Sequence, residues 1–177
     1  MELAQSENDL ILSWRAFELR PEPLAMLDPH GEYLTSAWRD HVYPLAEKMN
    51  MPLKKPSIQP RSLLAHEAAK WASSHDRLGE YNLALFRAFF EFGRDIGDKQ
   101  VLMNLAEEMG LDPAALAQAL DSNQFTAEVV GDGEEAQRLG IRAVPSFVSN
   151  GLVLASGVQT ADRLRELLTK GPGLPVF

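Results

Sequence analysis

The sequence predicts an α/β fold in which strand-forming segments near both ends of the chain flank a long helical block. Residues 10–17 alternate apolar side chains within a run rich in β-formers. Between residues 62 and 139, apolar residues recur at helical spacing and are separated by capping and glycine signals. Residues 146–155 form two short apolar runs joined by Asn150-Gly151, which is typical of a hairpin. A chain of 177 residues is expected to form one elaborated domain.

Composition argues against several classes of function. The formal net charge is -8 and no basic stripe is present, which argues against nucleic acid and anionic membranes as partners. The sequence has no long apolar run and no basic-then-apolar leader, so we expect a cytoplasmic protein. These residues include no cysteine, so they can supply neither a disulfide nor a thiol nucleophile. No His, Asp and Glu residues have metal-ligand spacing, and we expect no metal and no cofactor.

The helical block is bounded by local signals. The predicted strand at 10–17 ends before Pro21 and Pro23, and residues 34–49 carry a helical pattern in which Pro44 should begin or kink a helix. Four helices follow. The first is capped by Ser62, and the second is indicated by the apolar spacing of 78–92. The third is capped by Asp98 and ends at Gly110, and the fourth begins at Asp112-Pro113. We therefore predict an all-helical insertion at 34–122 within a core formed by 1–33 and 123–177.

The C-terminal part returns to strands. A helix over 124–139 is predicted to end at Gly140, and Pro145 should open a strand, because proline cannot donate to a central ladder. Most X-Pro bonds in folded proteins are trans, although Val144-Pro145 at such a junction is a candidate for the cis form. Thr160 should cap a last helix over 161–169 whose inward residues are Leu164, Leu167 and Leu168.

The stretch 140–148, Gly-Ile-Arg-Ala-Val-Pro-Ser-Phe-Val, resembles the cis-proline corner of thioredoxin-fold proteins, especially the DsbA-like group. Four further stretches resemble FrnE-type members of that group in the same order: 12–21, 64–72, 85–98 and Ser-Gly-Val-Gln at 156–159. The resemblance implies a thioredoxin-like (DsbA-like) fold with a large all-helical insertion, a cis bond before Pro145, and a thiol-disulfide oxidoreductase family.

The resemblance begins only after the family's first strand and its first helix, which carries Cys-x-x-Cys at its N-terminus. We therefore expect a thioredoxin-like fold lacking these two elements, and no catalytic residue within the 177. Two alternatives remain. One is a glutathione-dependent 2-hydroxychromene-2-carboxylate isomerase or kappa-class glutathione transferase, although that group has Gly-x-Asp-Arg where this chain has Gly157-Val158-Gln159. The other is a non-catalytic peptide-binding or oligomerisation module.

Four residues are candidates for substrate binding. The resemblance implies that the backbone of Val144, before Pro145, pairs with an extended peptide or with a glutathione-like thiol substrate. Gln159 is a candidate for the same groove, or alternatively for a capping role near Thr160. His66, beside Glu67 on a helix, either faces the site or is a surface or core-edge residue.

The family's sheet order implies that this chain leaves strand edges without a partner. In thioredoxin-like sheets the first strand lies between the second strand and the proline strand, so a chain without it exposes unpaired backbone on both neighbours. Either residues 10–17 pair with the Pro145 strand, or a second copy covers the edges. We expect the dimer.

Overall fold

The computed structural model describes residues 11–170. They form two compact units, one made of residues 11–19 and 130–170 and the other of Arg20–Val129. The predicted insertion, 34–122, lies within the second unit, and the parts of the predicted core at 1–10 and 171–177 lie outside the described residues. No helix in the described range is long and apolar enough to cross a membrane.

The first helical segment of the second unit contains a π-helical turn. Helix α1 (Glu32–Ala37), the π-helical residues Trp38–Val42 and helix α2 (Tyr43–Lys48) follow one another without a break. The carbonyl of Trp38 accepts from the amide of Tyr43, five residues later. Pro44 has no N–H to donate to the preceding turn, so the regular bonding pattern is interrupted where the sequence predicts it.

Four helices form the core of the second unit, as predicted. They are α3 (Leu63–Ser73), α4 (Leu78–Phe90), α5 (Lys99–Glu108) and α6 (Pro113–Asp121). Residues three or four apart bury one face of each helix, because that spacing places side chains on the same side. The buried side chains include Ala65, Ala68, Trp71, Tyr81, Leu85, Leu102, Leu105, Leu116 and Leu120. The Tyr81 hydroxyl donates to the carbonyl of Leu102 at 2.8 Å, and burial raises its pKa.

Two of the three predicted caps of these helices are present. The carboxylate of Asp98 accepts from the Gln100 amide, and that of Asp112 accepts from the Ala114 amide, each at 2.8 Å. The prediction for Ser62 was wrong: it precedes α3, but its side chain makes no capping hydrogen bond. Its backbone is helical (φ -96°, ψ -1°) rather than extended, and side-chain capping normally requires the extended geometry.

The first unit contains a hairpin between two helices. Helix α7 (Thr126–Arg138), which begins in the second unit, is followed by β1 (Ser146–Ser149) and β2 (Leu152–Ser156). The strands are antiparallel, with Ser146 opposite Ser156 and an irregularity between Phe147 and Val148. Asn150 and Gly151 both have positive φ, as a two-residue type I′ turn requires. Helix α8 (Ala161–Lys170) begins after Thr160, whose hydroxyl accepts from the Arg163 amide at 3.2 Å.

The predicted strand at 10–17 was wrong for residues 11–17, which belong to no ladder in the structure. The amide of Ala16 donates to the carboxylate of Asp132 on α7 at 2.8 Å, and the Arg15 guanidinium donates to the same carboxylate at 3.0 Å. The Ala16 amide therefore donates to a helix side chain instead of to a neighbouring strand.

Leu168 of α8 also differs from the prediction that it lies inward. It is 40% exposed, whereas Leu167 is buried.

Candidate functional site

The candidate site is the corner formed by residues 142–145, between α7 and β1. Helix α7 ends at Gly140, whose φ of +71° is readily adopted only without a side chain. The Ile141 amide donates back to the Ala136 carbonyl at 2.9 Å, which closes the helix end. The chain then leaves the helix and enters β1 through the corner.

The corner is exposed, and the backbone of Val144 has no partner among residues 11–170. All four residues of the corner are exposed, and the bond between Val144 and Pro145 is cis. Within the described chain, no hydrogen bond is made by the N–H or the C=O of Val144. These two groups are therefore available to an extended chain that approaches the corner.

The groups on both sides of Val144 are already hydrogen-bonded. The carbonyl of Pro145 accepts from the Gly157 amide at 2.8 Å. The hydroxyl of Ser146 donates to the Ala143 carbonyl at 2.7 Å and lies 2.8 Å from the hydroxyl of Ser156. The corner is thus held to the end of β2 and to the loop that follows it.

Gln159 binds this loop. Its side-chain amide donates to the carbonyls of Ser156, at 3.1 Å, and Gly157, at 3.3 Å. Thr160 supplies the capping bond of α8, so Gln159 does not have the capping role that was its alternative. Three predicted residues, Val144, Pro145 and Gln159, therefore belong to one hydrogen-bonded region of the first unit.

His66 lies elsewhere in the chain. It is half-buried on α3, in the second unit, next to the buried Glu67. Its participation in a site with Val144 stays a prediction.

The chemistry that the corner itself offers is backbone recognition. The only charged side chain among its four residues is that of Arg142, which is exposed. Across the described part of the chain, no three His, Cys, Asp or Glu side chains are grouped so that they could hold a metal ion.

Comparison with known proteins identifies the family. Residues 1–169 match the family model of the DSBA-like thioredoxin domain. The chain belongs to this family. The DSBA-like domain is also similar to the uncharacterized protein YwbO of Bacillus subtilis. The two are 33% identical over 150 residues, which cover 82% of this chain and 75% of YwbO.

Solved structures share the fold. A probable DsbA oxidoreductase from Streptomyces coelicolor has a TM-score of 0.71 at 22% identity, covering 92% of this chain and 76% of its own. A 2-hydroxychromene-2-carboxylate isomerase has a TM-score of 0.65 at 18% identity, covering 78% and 66% respectively. The predicted family and its thioredoxin-like fold are therefore confirmed, and both groups considered from the sequence share that fold.

Several polar residues that make contacts in the DSBA-like domain were not predicted from the sequence. Ser146 and Ser156 meet only because of the register of the hairpin, and no local pattern signals their contact. Asp132 and Glu67 did have a signal, because each is an acid on the apolar stripe of its helix. A carboxylate at such a position predicts a buried hydrogen-bonding group.

Proposed function

We propose that this DSBA-like domain is the substrate-binding part of a FrnE-type protein disulfide oxidoreductase and that it holds an extended peptide through the backbone of Val144. The observation that carries the proposal is the exposed corner, where the N–H and C=O of Val144 have no partner among residues 11–170 while the neighbouring carbonyls of Ala143 and Pro145 are bonded. Main-chain pairing of this kind accepts many sequences, which suits an enzyme that acts on varied protein substrates.

The redox step needs a thiolate that these residues do not contain. Thiol-disulfide exchange proceeds by attack of a thiolate on a disulfide sulfur, and the 177 residues include no cysteine. In this proposal the corner presents the substrate, and the attacking thiolate comes from outside these residues. We also propose a cytoplasmic location, on the argument from the sequence.

Two assays on the purified 177-residue chain test the proposal. We expect only the uncatalysed rate in insulin reduction, because no thiolate is present. In calorimetry we expect saturable binding of a short extended peptide whose single cysteine is S-methylated, so that binding is measured without exchange. Catalysis above the control, or no peptide binding by the folded chain, would contradict the proposal. Tighter binding of S-methylglutathione than of the peptide would instead favour the glutathione-dependent alternative.

We further propose that the chain forms a homodimer. In the described residues β1 pairs only with β2, and residues 11–17 do not cover its other edge. The first unit also exposes large apolar side chains, among them Ile11, Leu12, Val148 and Leu152. An unpaired strand edge beside apolar side chains favours pairing with another chain.

The expected result in size-exclusion chromatography with light scattering is a mass about twice the monomer's 19.6 kDa. Val148→Lys places a charge on β1 and should shift the species toward the monomer, because lysine on an edge strand opposes pairing. Gln137→Lys, at an exposed position of α7, makes the same change of charge and is the control. A folded wild-type species at the monomer mass would rule out the dimer.

A further inference from the structure

Three polar side chains surround the corner without belonging to it. Ser146 and Ser156 face each other across the hairpin, and Gln159 lies in the loop between β2 and α8. None of them contacts the N–H or C=O of Val144. Ser146 bonds the carbonyl before Val144, Ser156 bonds the hydroxyl of Ser146, and Gln159 bonds the loop that contains Gly157, so their effect on Val144 is indirect.

In the hydrogen bond between the hydroxyls of Ser146 and Ser156, the donor can be assigned. A serine hydroxyl carries a single hydrogen, and that of Ser146 is used in the 2.7 Å bond to the Ala143 carbonyl. In the 2.8 Å contact between the hydroxyls, Ser156 is therefore the donor and Ser146 the acceptor. The result is a short chain of bonds from β2, through Ser146, to the carbonyl that precedes Val144.

Gln159 acts on the other side of Val144. Its amide fixes the carbonyls of Ser156 and Gly157, and the Gly157 amide donates to the Pro145 carbonyl. Pro145 has no N–H of its own. The carbonyls of Ala143 and Pro145, on the two sides of Val144, therefore each accept a hydrogen bond within the protein.

We infer that Ser146, Ser156 and Gln159 are positioning residues that set the register in which an extended substrate pairs with the corner. This inference rests on the proposed function. Of the three consecutive residues 143–145, only Val144 offers both a free donor and a free acceptor among the described residues, so neither neighbour can exchange the two hydrogen bonds characteristic of an antiparallel pair as Val144 can.

Fixing the register matters because side chains alternate along an extended chain. A slip of one residue would turn the opposite set of substrate side chains toward the protein. The bonded carbonyls of Ala143 and Pro145 make such a slip less favourable, since an incoming amide would have to share an oxygen that already accepts a hydrogen bond, and Pro145 has no N–H to complete the pair. The corner would thus present the same substrate position to the attacking thiolate in each encounter.

The first test needs no ligand. In amide hydrogen exchange of the wild-type chain, the Gly157 amide should be protected, because it is bonded to Pro145. In Gln159→Leu, which keeps a side chain of similar size but loses the donor, we expect Gly157 to exchange about tenfold faster, the effect of one lost hydrogen bond. The same rate in both proteins would overturn the role of Gln159.

The second test uses the S-methylated peptide and follows its affinity and the NMR shifts of the corner amides. Ser146→Ala and Gln159→Leu should each weaken binding about fivefold to tenfold and spread the shift changes from Val144 to its neighbours. Ser146→Thr keeps the hydroxyl and should restore the wild-type pattern. Ser149→Ala is the same substitution at the far end of β1, where the side chain makes no hydrogen bond to any described residue, and it should change neither.

The outcomes separate this inference from the proposed function. If the wild-type chain binds through Val144 and Ser146→Ala binds with the same affinity and the same shifts, the positioning role is wrong and the proposed function stands. If the wild-type chain binds no peptide, the proposed function fails and the register role fails with it. A thermal unfolding curve for each variant shows whether a loss of binding reflects a loss of fold.

Discussion

Thr126→Val is expected to lower the free energy of unfolding by about 2–3 kcal/mol, because it removes a hydrogen bond from a buried carboxylate. Glu67 is 1% exposed, and one of its carboxylate oxygens accepts from the Thr126 hydroxyl. The other oxygen has no hydrogen-bond partner in the described part of the chain. Valine has nearly the same shape as threonine, so the loss comes from the missing donor rather than from a cavity.

The double variant Glu67→Met/Thr126→Val should recover most of that loss. Replacing both partners by apolar groups of similar size removes the unsatisfied acceptor together with the donor, and such pairs are often nearly neutral. Chemical denaturation of the four proteins of the double-mutant cycle measures the coupling. Thr35→Val, at an exposed position of α1 whose side chain bonds to nothing within residues 11–170, is the matched control and should change little. A double variant less stable than Thr126→Val would contradict this account of the pair.

Asp132→Ala is expected to destabilise the chain by about 2–4 kcal/mol and to release residues 11–19 from α7. The carboxylate is 6% exposed and accepts both the amide of Ala16 and the guanidinium of Arg15. Hydrogen bonds to a charged group contribute more than neutral ones, and the buried Ala16 amide would lose its acceptor.

Hydrogen exchange at Ala16 reports this release directly. The amide should be protected in the wild-type chain and exchange freely in Asp132→Ala, whereas Asp132→Asn retains one acceptor and should be intermediate. Glu134→Ala removes an exposed acid from the same helix and should leave Ala16 protected. Equal protection of Ala16 in wild type and Asp132→Ala would show that the carboxylate does not hold the segment.

The helices could be predicted because their signals are local. Asp98 and Asp112 cap helices by bonding amides two residues later, and apolar spacing within one helix identifies its buried face. Ser62 shows the limit, since a suitable residue type does not fix the backbone geometry that a cap requires.

The segment 11–17 could not be predicted in the same way, because a strand depends on a partner elsewhere in the chain. Its alternating pattern is compatible with a strand, but the structure assigns the Ala16 amide to Asp132, which is 116 residues away. The position of Asp132 on an apolar stripe indicates that its carboxylate is buried, but the sequence does not indicate which group donates a hydrogen bond to it.

In the candidate site, too, the local motifs were predicted and the contacts between distant residues were not. The Val144-Pro145 corner and the Asn150-Gly151 turn are short motifs and were readable from the sequence. The contact between Ser146 and Ser156 depends on the hairpin register, which includes an irregularity between Phe147 and Val148. Gln159 was identified as a candidate, whereas its bonds to Ser156 and Gly157 follow from the path of the loop.

The central claim is that Val144 pairs with an extended substrate through its backbone, and an NMR titration of the wild-type chain with the S-methylated peptide tests it most directly. We expect the Val144 amide to show one of the largest saturable shift changes and to become protected from hydrogen exchange when the peptide is bound. Saturable binding with shift changes confined to residues 20–129, and none at the corner, would contradict the claim.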